Sequence, residues 1–205
     1  QSAFVARNTI AETLGIPSSN ITLNSTEVGG AFGGKIDGLF APLAVLLAQK
    51  SRQPVTLVLT RREEFTSANP APYSVIRLKT GAKHDGTLTA LEGTVLLDTG
   101  AFASPLWFSI VILGMLRNNY SFRVWKLESL NVLTNKTPTT FYRAPVGING
   151  AFAIESQIDE VALQLGLDPL TLRLQNAIQE GDLLANLNPQ VRVGSKDVLT
   201  VLAKH

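Results

Sequence analysis

Cysteine is absent from the 205 residues, which excludes disulfides, zinc–thiolate sites and iron–sulfur ligation within this chain. A surplus of charge is missing as well: 18 Lys and Arg stand against 16 Asp and Glu, a formal net charge of +2. The basic residues are scattered without interleaved aromatics, so no nucleic-acid face is expected. No long hydrophobic run occurs. The longest apolar stretch, Phe102 to Leu116, contains Pro105 and Ser109 and is too short to cross about 30 Å of hydrocarbon, so it reads as a buried core segment rather than a membrane span. No signal-peptide pattern is present, and the chain opens at Gln1 without an initiator methionine, which suggests a piece of a longer polypeptide with a cytoplasmic location. Without a secretory signal, the N-x-[ST] patterns at Asn20, Asn24, Asn119 and Asn135 read as chance matches.

With 45% hydrophobic and 17% charged residues, the chain suits one globular domain with a true core. Its most unusual stretch is Val28-Gly29-Gly30-Ala31-Phe32-Gly33-Gly34-Lys35, four glycines around one aromatic, between a β-like run and a helical run. Glycine permits positive φ and close approach of the backbone to a ligand, so the stretch reads either as a tight connector or as backbone that touches something. The segment Gly29 to Lys35 also fits the spacing of a phosphate-binding P-loop. Ile36 breaks that match, because a hydroxyl is needed there to ligate magnesium, and Phe32 is out of place in a loop that wraps phosphates with bare N–H groups. Nucleotide binding is kept as the alternative.

Residues Ser2 to Leu14 have helical spacing, stopped by Gly15 and Pro17. Ile21 to Val28 and Pro54 to Leu59 are rich in β-branched residues and read as short strands. Between them, Leu39, Leu43, Leu46 and Leu47 line a helix whose first turns Pro42 should disturb. Arg61 to Glu64 reads as a solvated charged cluster. Tyr73 to Lys83 and Thr87 to Leu97 form a hairpin about Asp85-Gly86. Phe102 to Tyr120 is ambiguous between loop and buried helix, and Val124 to Leu133 is strand-like. Asn149 to Leu165 is the clearest helix, closed by Gly166. Asp168-Pro169 opens another running to about Ile178, and a last helix is expected near Lys196 to Ala203. A hairpin among alternating helices and strands predicts an α+β fold with a mixed sheet and packed helices.

A second suggestive stretch, Thr140-Phe141-Tyr142-Arg143-Ala144-Pro145, follows a strand and precedes the clearest helix. A lone loop arginine is usually solvated or pairs with a surface carboxylate. The glycine loop, the hairpin, Asp98-x-Gly100-Ala101, Phe141-Tyr142-Arg143-Ala144-Pro145, Ile154-Glu155 with Asp159-Glu160, Leu165 to Pro169 and Leu172 to Asn176 occur in one order. In that order the chain resembles the molybdenum-cofactor-binding part of the xanthine dehydrogenase and aldehyde oxidase family. The resemblance covers residues 1 to about 190, with 191–205 as the start of a following segment.

The resemblance implies roles for particular residues. Phe32 and Gly33 match the segment whose backbone approaches the molybdenum centre, Phe32 walling off solvent. Gln1 matches a glutamine near the apical oxygen, and Tyr142 and Arg143 match the loop that holds the pterin end. Glu155 and Asp159 match acidic helix positions with a structural role. Ile36 stands where xanthine-type members have a glutamate and Val111 where they have a substrate arginine, which implies an apolar substrate pocket and an aldehyde or N-heterocycle rather than a purine. Ala144 stands where the carbon-monoxide-oxidising branch has cysteine. The family's glutamate base lies downstream, so no catalytic residue and no metal-ligating side chain is expected here. Implied cofactors are a molybdenum–molybdopterin, in its cytosine dinucleotide form, with iron–sulfur clusters and FAD in other domains or subunits. Implied partners are the rest of the same subunit, an iron–sulfur subunit or domain, a flavin subunit and a small-molecule substrate. A non-catalytic scaffold descended from the family is the further alternative.

Overall fold

A computed structural model describes residues 1–102 and 107–204. The chain forms two compact units, one from Gln1–Ala71 with Thr137–Arg143 and one from the remainder.

The first unit opens with α1 (Ala3–Leu14), which buries Ala6 and Ile10 and ends where Gly15 takes φ +65°. A 3₁₀ turn follows at Ser18–Asn20. The strands expected at 21–28 and 54–59 do not form. Both segments run without a sheet partner, because β-branched residues favour an extended backbone but a strand needs a ladder to join. Helix α2 (Ala41–Ser51) begins beside Pro42, so proline sits in the first turn, where its missing N–H costs nothing, and Leu39 falls outside the helix. The expected disturbance is therefore absent. Leu43, Leu46 and Leu47 remain partly exposed. The charged cluster becomes α3 (Arg61–Ser67), started by a capping box. The Glu63 N–H donates to Thr60 Oγ1 at 3.3 Å and the Thr60 N–H to Glu63 Oε2 at 2.7 Å.

In the second unit β1 (Tyr73–Ala82) and β2 (Leu88–Gly100) pair antiparallel, and β3 (Val124–Leu133) lies parallel to β2, in the order β1-β2-β3. This is the expected mixed sheet. At the hairpin Asp85 accepts from the Thr87 N–H at 2.9 Å and Gly86 takes φ +87°. A parallel return needs a crossover, and α4 (Trp107–Arg117) supplies it, resolving most of the ambiguous 102–120 stretch as helix. Residues 103–106 of that stretch lie outside the described residues. Helix α5 (Gly147–Leu165) packs on α4, with Gly150 at the crossing. A Cβ there would lie 2.8 Å from Met115 Cβ, which is why the closest approach falls on glycine. Helix α6 (Pro169–Asn176) is capped by Asp168, which accepts from the Thr171 N–H at 2.7 Å, and α7 (Ser195–Leu202) follows.

The core of this unit is Leu91, Val95 and Leu97 of β2, Phe108, Ile112 and Leu116 of α4, Ile154 and Ile158 of α5, and Leu172 of α6, all at most 1% exposed. Each such side chain contributes about 1.5–3 kcal/mol of burial. Buried Asn176 ties α6 to the hairpin: its Oδ1 accepts from the Leu88 N–H, and its Nδ2 donates to Gly86 O and Leu172 O, all within 2.9 Å. Among the described residues no helix is long and apolar enough to cross a membrane.

Candidate functional site

The glycine loop lies in the first unit, between the extended segment and α2, and its backbone is unusual. Gly29, Phe32 and Gly33 take φ +69°, +49° and +104°. Left-handed conformation is cheap for glycine and rare for phenylalanine, so its persistence at Phe32 marks a loop held by its surroundings. Three turn bonds shape it: Gly30 N–H to Val28 O at 2.7 Å, Gly34 N–H to Ala31 O at 2.9 Å and Ile36 N–H to Gly33 O at 3.1 Å. The Phe32 ring folds back over Gly30, where a Cβ would lie 3.0 Å from Cε2.

The Phe-Tyr-Arg segment, more than a hundred residues later in sequence, is laid against this loop. The Arg143 N–H donates to Phe32 O at 2.7 Å, and a Cβ on Gly33 would come within 2.8 Å of Phe141 O. Thr140 anchors the segment through its N–H to Pro70 O at 2.9 Å and its hydroxyl to the Asp37 carboxylate. Phe32, Gly33, Tyr142 and Arg143, placed at one site by the sequence, are thus adjacent. Phe32 and Tyr142 are 65% and 55% exposed, so within this chain Phe32 covers Gly30 rather than excluding solvent.

The remaining candidates are placed as follows. Gln1 is exposed ahead of α1, and its side chain makes no hydrogen bond among the described residues. Ile36 is half-buried in the turn leaving the loop. Val111 is half-buried on α4 in the second unit, its Cγ1 3.9 Å from where a Gly147 Cβ would stand. Glu155 and Asp159 both engage Arg173, which reaches Glu155 Oε2 from Nε at 2.9 Å and Asp159 Oδ1 from Nη1 at 2.7 Å. Glu155 also accepts the Tyr120 hydroxyl at 2.8 Å. Burial together with that acceptor pushes the Tyr120 phenol above its ordinary range, so it stays protonated as the donor of a structural network.

Two features had no signal in the sequence. Lys35, whose place in the glycine motif suggested a phosphate ligand, instead donates from Nζ to Gly30 O at 2.9 Å and Val28 O at 3.2 Å. A cleft of about 410 Å³ beside the loop is lined by Lys35, Asp37, Phe40, Glu64, Phe141 and Tyr142 among others. Among the described residues no group of three or more His, Cys, Asp or Glu could hold a metal ion.

An acceptor-bearing cofactor fits the loop in one specific respect. Gly33 is buried, and its N–H has no hydrogen-bond partner among the described residues. Such a donor is costly unless something satisfies it.

The sequence profile of the molybdopterin cofactor-binding domain family matches residues 1–177, and the chain belongs to that family. Among individual proteins it is similar to the xanthine dehydrogenase molybdenum-binding subunit of Escherichia coli O157:H7, 34% identical over 185 residues, covering 89% of this chain and 24% of that one. In structure it matches the aldehyde oxidoreductase of Desulfovibrio gigas with a TM-score of 0.90 at 25% identity, covering 99% of this chain and 22% of that one. It matches quinoline 2-oxidoreductase of Pseudomonas putida 86 with a TM-score of 0.86 at 28% identity, covering 99% and 27% respectively. The expected resemblance to xanthine dehydrogenase and aldehyde oxidase proteins is borne out, and nothing in these matches supports the nucleotide-binding alternative. The chain spans about a quarter of the length of these relatives.

Proposed function

We propose that this chain is the cofactor-cradling part of a molybdenum hydroxylase that oxidises an aldehyde or N-heterocycle. The observation that carries this is the Arg143 N–H to Phe32 O bond of 2.7 Å, which docks the two segments expected to hold the cofactor and leaves the buried Gly33 N–H without an internal acceptor. Of the relatives named above, the aldehyde oxidoreductase and the quinoline 2-oxidoreductase carry the corresponding activities in their names.

In this reading Phe32 and Gly33 offer backbone N–H donors to an oxygen of the cofactor, Gln1 adds its side-chain amide, and Tyr142 and Arg143 hold the pterin end. When bound, the molybdenum cofactor, in its cytosine dinucleotide form, supplies the two-electron oxidation that places a water-derived oxygen on an electron-poor carbon. Ile36 and Val111 contribute apolar surface to the substrate pocket, which disfavours purines because a purine's polar edge would be left without partners there. The general base comes from downstream sequence. Iron–sulfur clusters and FAD in other domains or subunits take the electrons, residues 1–190 belong to the cofactor-binding domain, and the assembly is cytoplasmic.

The test is the molybdenum and released pterin-nucleotide content of the complete polypeptide purified with its partners. Near-stoichiometric molybdenum with a pterin dinucleotide is the expected result. A metal-free assembly that still folds and holds its partners would overturn the proposal in favour of a degenerate scaffold.

A further inference from the structure

Lys35 gives the glycine loop a direction. In a trans peptide the C=O of one residue and the N–H of the next point to opposite sides, and no peptide bond here is cis. The ammonium of Lys35 binds Val28 O and Gly30 O. The peptide planes 28–29 and 30–31 are therefore turned so that the N–H groups of Gly29 and Ala31 point away from the lysine. By the same geometry Arg143, which holds Phe32 O, turns the Gly33 N–H away from itself. Among the described residues none of these three N–H groups makes a hydrogen bond. An exposed lysine gains little by leaving water for an ordinary surface contact, but two carbonyls at 2.9 and 3.2 Å form a charge-assisted clamp across a segment rich in glycine, the residue type with most conformational freedom to lose.

Resting on the cofactor reading above, we propose that Lys35 is a positioning residue. Its ammonium gathers loop carbonyls on one side and so presents a set of backbone N–H donors on the other, aligned for an oxygen of the molybdenum cofactor. It does not itself touch the cofactor. This role is opposite to that of a P-loop lysine, which reaches phosphate directly.

The test uses the complete protein with its partners and compares wild type with Lys35→Met, which keeps the stem but cannot donate, and Lys35→Arg, which can. Two quantities are read: hydrogen–deuterium exchange of the Gly30 and Gly34 amides, and the electron paramagnetic resonance signal of the reduced molybdenum centre. Loss of a charge-assisted bond should speed exchange of these amides about tenfold in Lys35→Met. The g-values should shift at unchanged molybdenum content and unchanged circular dichroism, with Lys35→Arg restoring both. Unchanged exchange in Lys35→Met would overturn the proposal. So would faster exchange with an unaltered resonance signal, or failure of Lys35→Arg to rescue. If Lys35→Met does not accumulate, Lys35→Leu, which likewise cannot donate, replaces it under the same criteria. A wild-type protein without molybdenum would refute the cofactor reading instead, and the exchange comparison would then decide the clamp alone.

Discussion

Gly33→Ala offers the sharpest test of how the two cofactor-side segments meet. At φ +104° Gly33 lies where L-residues are strained, at a cost of about 1–3 kcal/mol. The added Cβ would also stand 2.8 Å from Phe141 O and 2.9 Å from Phe141 C. Both are backbone atoms and cannot rotate aside, so the segments must separate, adding about 1–3 kcal/mol of overpacking. A combined cost of about 3 kcal/mol corresponds to roughly a hundredfold in a local opening equilibrium. The reporter is the Arg143 amide, whose bond to Phe32 O should break when the segments part and whose hydrogen exchange should accelerate by that factor in the complete protein, with molybdenum content falling alongside. Gly29→Ala is the control. Its φ is also positive, at +69° within the left-handed region, but nothing lies within 4 Å of the added Cβ, so it bears only the conformational cost of about 1–2 kcal/mol and should spare the Arg143 amide. Equal effects of the two substitutions, or an unmoved Arg143 amide in Gly33→Ala, would refute the claim that close approach to Phe141 dictates glycine at this position.

Further substitutions probe the frame in the second unit and α3. Asn176→Ala leaves the Leu88 N–H and the carbonyls of Gly86 and Leu172 without their partner and should destabilise the unit by about 2–4 kcal/mol in urea titrations. Arg173→Met removes the shared partner of Glu155 and Asp159; because both carboxylates are substantially exposed the loss should be modest, about 1–2 kcal/mol, and salt-dependent. Hydrogen bonds from Lys136 and Thr134 hold the Asp98 carboxyl down at about 2. Its contribution is therefore complete above the unfolded carboxyl value near 4 and is lost as pH falls toward about 2; Asp98→Asn should flatten stability against pH in that window and leave the slope near neutrality unchanged. Thr60→Ala abolishes the capping box of α3 and should cost about 1 kcal/mol of helix stability, seen as faster exchange of the Glu63 and Glu64 amides.

The sheet and the large helices were legible because their signals are local. Asp85-Gly86 between two runs of β-branched residues announces a hairpin, and Ile154, Ile158, Val161 and Leu165 repeat at helical spacing before Gly166. Ile21 to Val28 and Pro54 to Leu59 carry similar β-branched composition and yet stay unpaired, since composition reports a preference for extended backbone and says nothing of a ladder to complete. Pro42 misled for a related reason: its effect depends on whether it stands in a first turn or an interior one, and that depends on a boundary the leucine spacing does not mark.

The candidate site divides along the same line. Glycines crowded around Phe32 signal backbone contact with something, and the order of motifs assigned both this loop and Tyr142-Arg143 to a cofactor, but the hydrogen bond that joins them, Arg143 N–H to Phe32 O, is visible only in the structure. What residue identity cannot reveal is which way a side chain turns. Lys35 in a Gly-x-x-x-x-Gly-Lys pattern invites a phosphate, whereas its ammonium lies on the loop's own carbonyls. Phe32, with its φ at +49° and its ring folded over Gly30, lies in the same turn, and the Val28 and Gly30 carbonyls take two of the lysine's three donors, which ties the cation to the loop rather than extending it toward a phosphate. A P-loop and this loop can therefore share glycines and a lysine while presenting opposite functions to the cation. The aromatic residue, with the missing hydroxyl at Ile36, decides between them.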